Sequence, residues 1–160
     1  MRNAEGSKNV ALLECLNPKK GIWRVRLNME PTETGAKWTE EDFDHKPTAE
    51  EVREVFLACV NAAISAKIRE GLEYEGALVW LSTENQQNYK MAHDLAVQTD
   101  GRNLPLRVKL GTDEEPVYRE FSTVEELTGF YTAVAMHVQS CLEEGWQKKE
   151  GFDVEAYLKE

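Results

Sequence analysis

The stretch over residues 48–71 constrains this chain more than any other. Thr48 and Glu51 form a capping box. The threonine hydroxyl can accept the Glu51 amide, and the Glu51 carboxylate can reach back to the Thr48 amide. Val52, Val55, Phe56, Cys59, Val60, Ala63 and Ile64 then recur at three and four. Leu57, Ala58, Ala62 and Ala66 widen that stripe, so the spacing predicts a long helix buried on more than one side. Gly71 supplies a left-handed stop. A helix this apolar needs other elements around it, and the rest of the chain supplies them.

After Gly71, residues 76–81 show no alternation and predict a central strand covered on both faces. Ser82 is placed as the N-cap of a second helix, with Asn85 at its third position. That helix sets Tyr89, Ala92, Leu95 and Ala96 on its packing side, and residues 99–101 end it. Leu104, Leu106, Val108 and Leu110 alternate with Pro105, Arg107 and Lys109, a loop follows, and residues 117–121 return as the second strand of an antiparallel hairpin. Ser122 and Glu125 read as a second capping box. The helix behind it carries Val124, Leu127, Tyr131, Val134, Val138 and Cys141, and Gly145 is its expected end. Its short heptad spacing reads as intramolecular core rather than as a coiled-coil seam. Trp146, Val154 and Tyr157 are expected to clamp the C-terminus.

Before residue 48 the pattern is weaker. Residues 10–16 are a short apolar run, and residues 17–21 form a turn. Trp23, Val25 and Leu27 alternate with Arg24 and Arg26, which predicts a half-exposed strand with both arginines in solvent. Residues 29–47 lack apolar periodicity and contain Pro31 and Pro47, so they read as an ordered connector anchored by Trp38 and Phe43. The expected architecture is α+β: three main helices packed on one side of a small, mainly antiparallel sheet. It divides into an N-terminal strand and connector, 1–47, and a helix-strand-helix-hairpin-helix core, 48–160, within one compact domain.

Composition narrows the function classes. The formal net charge is −10. Affinity for a phosphate backbone comes largely from Lys and Arg displacing counterions, so nucleic acid is not an expected partner. An anionic membrane surface is disfavoured likewise. No stretch approaches the ~20 apolar residues that a membrane span needs. The three cysteines, Cys15, Cys59 and Cys141, are far apart and form no Cys-x-x-Cys pair, so they read as reduced, packed residues.

The candidate chemistry is thin. His45, His93 and His137 form no metal-ligand pair on one helical face. The acidic run Glu40, Glu41, Asp42, Asp44 could offer oxygen ligands to a hard cation, but it lacks the glycine of a calcium loop and reads as a solvated loop. Ser82 sits where a nucleophile elbow would place a serine, without the flanking glycines. The amides Asn85, Gln86, Gln87 and Asn88 stand out most, as uncharged donors and acceptors opening a helix. Some are expected to tie the helix to neighbouring strand ends; Asn85, Gln86 and Asn88 are the candidates for a partner's backbone. No catalytic residue, cofactor or metal is expected.

Several blocks carry a resemblance. They are Lys67-Ile-Arg-Glu-Gly-Leu-Glu-Tyr-Glu-Gly76, Val79-Trp-Leu-Ser82 with Asn85-Gln86, and Asn88-Tyr-Lys. Further along come Leu104-Pro105, Lys109-x-Gly111, Pro116-Val-Tyr, Phe121-Ser, Glu126-Leu, His137-Val and Gly145-Trp146. From about residue 48 onward the chain resembles a family of phage and prophage proteins related to the DUF4376 domain of tail and tail-fibre regions; residues 1–47 do not follow that pattern. The resemblance implies no enzyme activity. It implies a virion tail setting after synthesis in the bacterial host cytoplasm, with other tail or fibre proteins, or further copies of itself, as partners. On that reading the chain is a non-enzymatic structural or adaptor protein, with Trp38 and Phe43 available to a partner. The alternatives are a tail-fibre assembly chaperone, or a metal-dependent hydrolase using the acids at 40–45 and a histidine.

Overall fold

The computed structural model describes residues 1–159. The protein is α+β, with three long helices and antiparallel strands in small sheets. The strands divide among three sheets. Contacts group the chain into two compact units: Met1–Ala63 with Gly145–Glu160, and Ile64–Glu144. Two long helices each contribute a segment to both.

The first unit is built on a four-stranded sheet in the order β1-β4-β3-β2, with β1 at Arg2–Gly6, β2 at Leu13–Asn17, β3 at Ile22–Pro31 and β4 at Ala36–Phe43. The strand predicted around Val25 is β3, and Val25 and Leu27 are fully buried. The expected connector is instead largely strand β4. It forms without apolar periodicity because its charges meet opposite charges across the ladder: Arg24 stands opposite Asp42 and Arg26 opposite Glu40. Opposite charges facing each other stabilise a strand pair.

Helix α1, Ala49–Glu70, starts at the predicted capping box. The Glu51 amide donates to Thr48 Oγ1 at 3.2 Å, and the Thr48 amide donates to the Glu51 carboxylate at 2.8 Å. Val52, Phe56, Cys59 and Val60 are buried, but Ala58, Ala62 and Ala63 are exposed. The helix therefore hides one side, and the wide apolar stripe misled because alanine favours helix wherever it sits. Phe56 stacks on Phe152, 3.8 Å between centroids. Tyr157 is buried beside them, in the short α4, Glu155–Leu158, whereas Trp146 is half-exposed and clamps nothing.

In the second unit the chain does not run straight on as a central strand. β5, Leu72–Tyr74, and β6, Ala77–Val79, form a tight hairpin. Glu75 and Gly76 make its two-residue turn, both at positive φ (49° and 80°), the geometry that matches strand twist. Alternation within three residues leaves Leu78 exposed and Val79 fully buried. Helix α2, Thr83–Gln98, follows its Ser82 cap. β7, Leu106–Gly111, and β8, Pro116–Phe121, form the predicted hairpin. Val79, Leu81, Tyr89, Ala96, Val108, Leu110, Phe121, Leu127, Phe130 and Val134 make one core.

Helix α3, Val124–Glu150, departs from expectation at both ends. Its capping pair is Thr123 with Glu126, one residue later than predicted: the Glu126 amide donates to Thr123 Oγ1 at 3.2 Å, and the Ser122 amide donates to the Glu126 carboxylate at 2.8 Å. It also runs through Gly145, which is buried mid-helix. A helix glycine costs about 1 kcal/mol, small enough for the mostly good helix formers that follow to carry the helix on to Glu150. The amide of Gly151 donates to the Gln147 carbonyl at 3.0 Å as the helix ends.

Candidate functional site

Polar side chains concentrate in two places, one in each unit. In the first, β3, β4 and β1 alternate so that Arg24, Arg26, Glu40, Asp42, Trp38 and Arg2 share a sheet face. Arg24 holds Asp42 bidentately, Nε–Oδ1 2.7 Å and Nη2–Oδ2 3.0 Å. Arg2 Nε donates to Glu40 Oε1 at 2.7 Å, and the Trp38 indole N–H donates to Glu40 Oε2 at 3.1 Å. Arg26 reaches the Ala11 carbonyl at 2.7 Å and Glu14 at 2.6 Å. Arg26 and Glu40 are both buried, 7% and 6% exposed, so the arginines expected in solvent are structural.

This ladder fixes its own protonation. Burial alone would raise the Glu40 carboxyl; hydrogen bonds from Arg2 and Trp38, with the Arg24 charge, outweigh it and hold the group below the usual range. The Asp42 carboxyl is held low first by the Arg24 hydrogen bond. A carboxylate pinned in its ionised form by guanidinium is a weak base and, near neutrality, no proton donor. Glu40 and Asp42 are thus part of a cross-strand ladder rather than of a solvated loop, whereas Asp44, past the end of β4, is exposed. His45 lies beyond the end of β4, exposed, with Nδ1 2.8 Å from Asp44 and Nε2 2.9 Å from Glu51. Nε2 thus meets the first turn of α1, and Nδ1 the residue just before it in the chain. Among the described residues, no group of three His, Cys, Asp or Glu side chains is arranged to hold a metal ion.

Of the two expected anchors, Trp38 is buried beside the ladder, and Phe43 is half-buried, edge-on to His45 at 5.9 Å. An open groove of about 770 Å³ is lined by residues of α1 and of the β1–β4 pair. Asn3, Thr39, Lys37, Asn28, Ala62 and Ala63 line it. The half-buried Asn28 amide in this lining donates to Cys59 Sγ at 3.1 Å.

The second place is the start of α2. Ser82 Oγ accepts the Asn85 amide at 3.1 Å, which takes the serine for capping. The Asn85 side chain donates to the Trp80 carbonyl at 3.0 Å, and the Gln86 side chain to the Leu81 carbonyl at 2.9 Å. These two amides satisfy the segment leaving β6, whose carbonyls have no ladder partner. Gln87 and Asn88 point to solvent. The structure therefore separates the run into two structural amides and two exposed ones, and it places Trp38 and Phe43 in the other unit. Further along α2, the Tyr89 hydroxyl donates to the Lys109 carbonyl at 3.0 Å, and burial pushes its pKa up to about 12. His93 Nε2 lies 3.2 Å from Thr128 Oγ1, and the ring stacks on Tyr131 at 4.7 Å.

Sequence reasoning missed a row on α2 that is apolar yet open. Met91 is 62% exposed, and Leu95, expected to pack inward, is 50% exposed. The signal was present: Tyr89, Ala92 and Ala96 define one side of the helix, and Met91 lies about 200° from Tyr89.

Fold and site together define an α+β protein whose charged clusters build structure. Compared with protein-family models, with curated proteins and with solved structures, the chain gives no match.

Proposed function

We propose that this chain is a non-enzymatic, phage-tail-associated structural or adaptor protein that works through protein–protein contacts. Its partners are other tail or fibre proteins, and its destination after synthesis in the host cytoplasm is the virion tail. One observation supports contact by shape above all. Within residues 64–144, Leu78, Met91, Leu95, Val117, Tyr118 and Met136 expose large apolar side chains on four different elements. Apolar surface of that kind marks interaction sites when it is contiguous. The tail setting rests on the resemblance of residues 48–160. Mass spectrometry of purified particles from a producing host tests the reading: the chain is expected among the virion proteins, and its absence from them counts against a structural role.

Two of the most exposed apolar residues are methionines, Met91 and Met136. Methionine suits adaptable, transient surfaces, which favours a second reading as a tail-fibre assembly chaperone. Co-expression with the neighbouring fibre gene separates the two. A chaperone raises fibre solubility without staying bound; an adaptor co-purifies.

A further inference from the structure

We propose that the outer edge of β1 accepts an extended segment of a partner protein as a fifth strand of the sheet, one with a basic residue opposite Glu5 and an acidic residue opposite Arg2. The site belongs to the first unit, and the inference stands without the tail reading, since it concerns the purified chain and a peptide alone.

In the order β1-β4-β3-β2 the outer strands are β1 and β2. An outer strand presents a row of unpaired backbone donors and acceptors, and bulges or prolines commonly blunt it. β2 carries a register shift between Cys15 and Asn17. β1 has neither device: it pairs with β4 without a shift from Arg2↔Glu40 to Gly6↔Ala36. Its free side is therefore a regular template for another strand. The open groove described above is lined by Arg2, Asn3, Ala4 and Glu5 along this strand, and by Ala62 and Ala63 of α1. Both alanines are exposed, and their small side chains leave room for those of an added segment.

Charge selects the occupant. Across the strands, Arg26, Glu40 and Arg2 stand in one row, and Glu30, Lys37 and Glu5 in another. Each row alternates in sign from strand to strand, and opposite charges facing each other stabilise a strand pair. A further strand continues both rows with an acid beside Arg2 and a base beside Glu5. Both positions have room for it. The Arg2 side chain is 58% exposed even while it bonds Glu40 and Asp42, and Glu5 is exposed. The sheet is antiparallel throughout. An antiparallel addition therefore reads base first and acid three residues later.

A second copy of this chain does not fit that pattern. Arg2 and Glu5 are three residues apart and point to opposite faces of the sheet. Antiparallel pairing of two β1 strands needs a twofold axis perpendicular to the sheet, which keeps every side chain on its own face. Within β1, Arg2 would then meet only Arg2, Ala4 or Gly6, none of them an acid. A foreign segment can match both charges. Added to a strand of five residues, it makes a small contact, with an expected Kd of about 10–100 µM.

Fluorescence anisotropy with a short labelled peptide of valine and threonine, carrying a lysine three residues before a glutamate, reads the result directly. Exchanging the two charges in the peptide should weaken binding about 10-fold. N-methylation of one alternate set of peptide amides should abolish binding and that of the other set should spare it, because only one set faces β1. Glu5→Lys should reverse the preference at its row, favouring a peptide with glutamate at both positions. Amide NMR shifts caused by the peptide should centre on residues 2–6. Equal affinity for the two charge orders overturns the proposal. So does an absence of binding up to about 1 mM, or an equal response to the two methylated sets. Shifts of the same amides that follow protein concentration without peptide would put a second copy on the edge and overturn it too.

Discussion

Gly71 and Gly76 offer a matched pair of substitutions. Both have φ of 80°, so alanine at either incurs the left-handed backbone penalty, about 1–2 kcal/mol. Their surroundings differ completely. At Gly76 an added Cβ meets nothing within 4 Å. At Gly71 it would sit 1.8 Å from the Val79 carbonyl oxygen and 2.8 Å from its carbon. Both are backbone atoms, so no rotamer change relieves the overlap; the hairpin strand β6 must move. Val79 is fully buried and pairs with Leu72. Withdrawing a valine of this kind from the core costs about 1.5–3 kcal/mol. Gly71→Ala should therefore destabilise by about 2.5–5 kcal/mol, and Gly76→Ala by about 1–2 kcal/mol. In urea, with a slope near 2 kcal/mol per molar, the Gly71→Ala midpoint should lie about 0.75–1.5 M below that of Gly76→Ala. Equal losses from the two substitutions would refute the close approach of β6 to the end of α1 and leave only the backbone term.

Other substitutions probe the core and the ladder. Phe130 is fully buried and packs on Tyr74, Tyr89 and Phe121, so Phe130→Ala should cost about 3–5 kcal/mol by chemical denaturation. The carboxyls of Glu40 and Asp42 are held low in the folded state. The unfolded chain then binds more protons at acid pH, so their stabilisation is complete above the ordinary carboxyl range of about 4–4.5 and is lost as the pH falls through the folded values. Glu40→Gln with Asp42→Asn should flatten the acid limb of a stability-versus-pH curve; an unchanged limb would show that the ladder does not carry it. The His45 imidazole is raised above its ordinary value, first by the Asp44 hydrogen bond and then by Glu51. Its contribution is full below about 6.5 and disappears as the pH rises through the folded value. An NMR titration of its ring should show a midpoint above 6.5, moving down in Asp44→Asn.

Much of this fold is local, and the local parts were readable. The box at Thr48 and Glu51, the stop at Gly71, the cap at Ser82 and the hairpin of β7 and β8 each follow from a few neighbouring residues whose hydrogen bonds or φ values have few alternatives. Their α+β consequence was legible for the same reason.

Tertiary structure decided the rest. β4 is a strand because Arg24 and Arg26 lie opposite its acids, and strands 1 and 4 are held together by the Arg2–Glu40 contact. No window along the chain contains both halves of those pairs. The glycine at 145 stays helical because the helix around it has partners to bury against, and Leu95 stays out because Tyr89 and Ala96 fill the inner side of α2. The division of the amide run into two that brace strand ends and two that face solvent has the same origin. Hydrogen bonds and dihedral preferences act within a few residues and leave their mark in the sequence. Charge pairing across strands and the choice of buried side depend on distance in space, which only the folded chain sets.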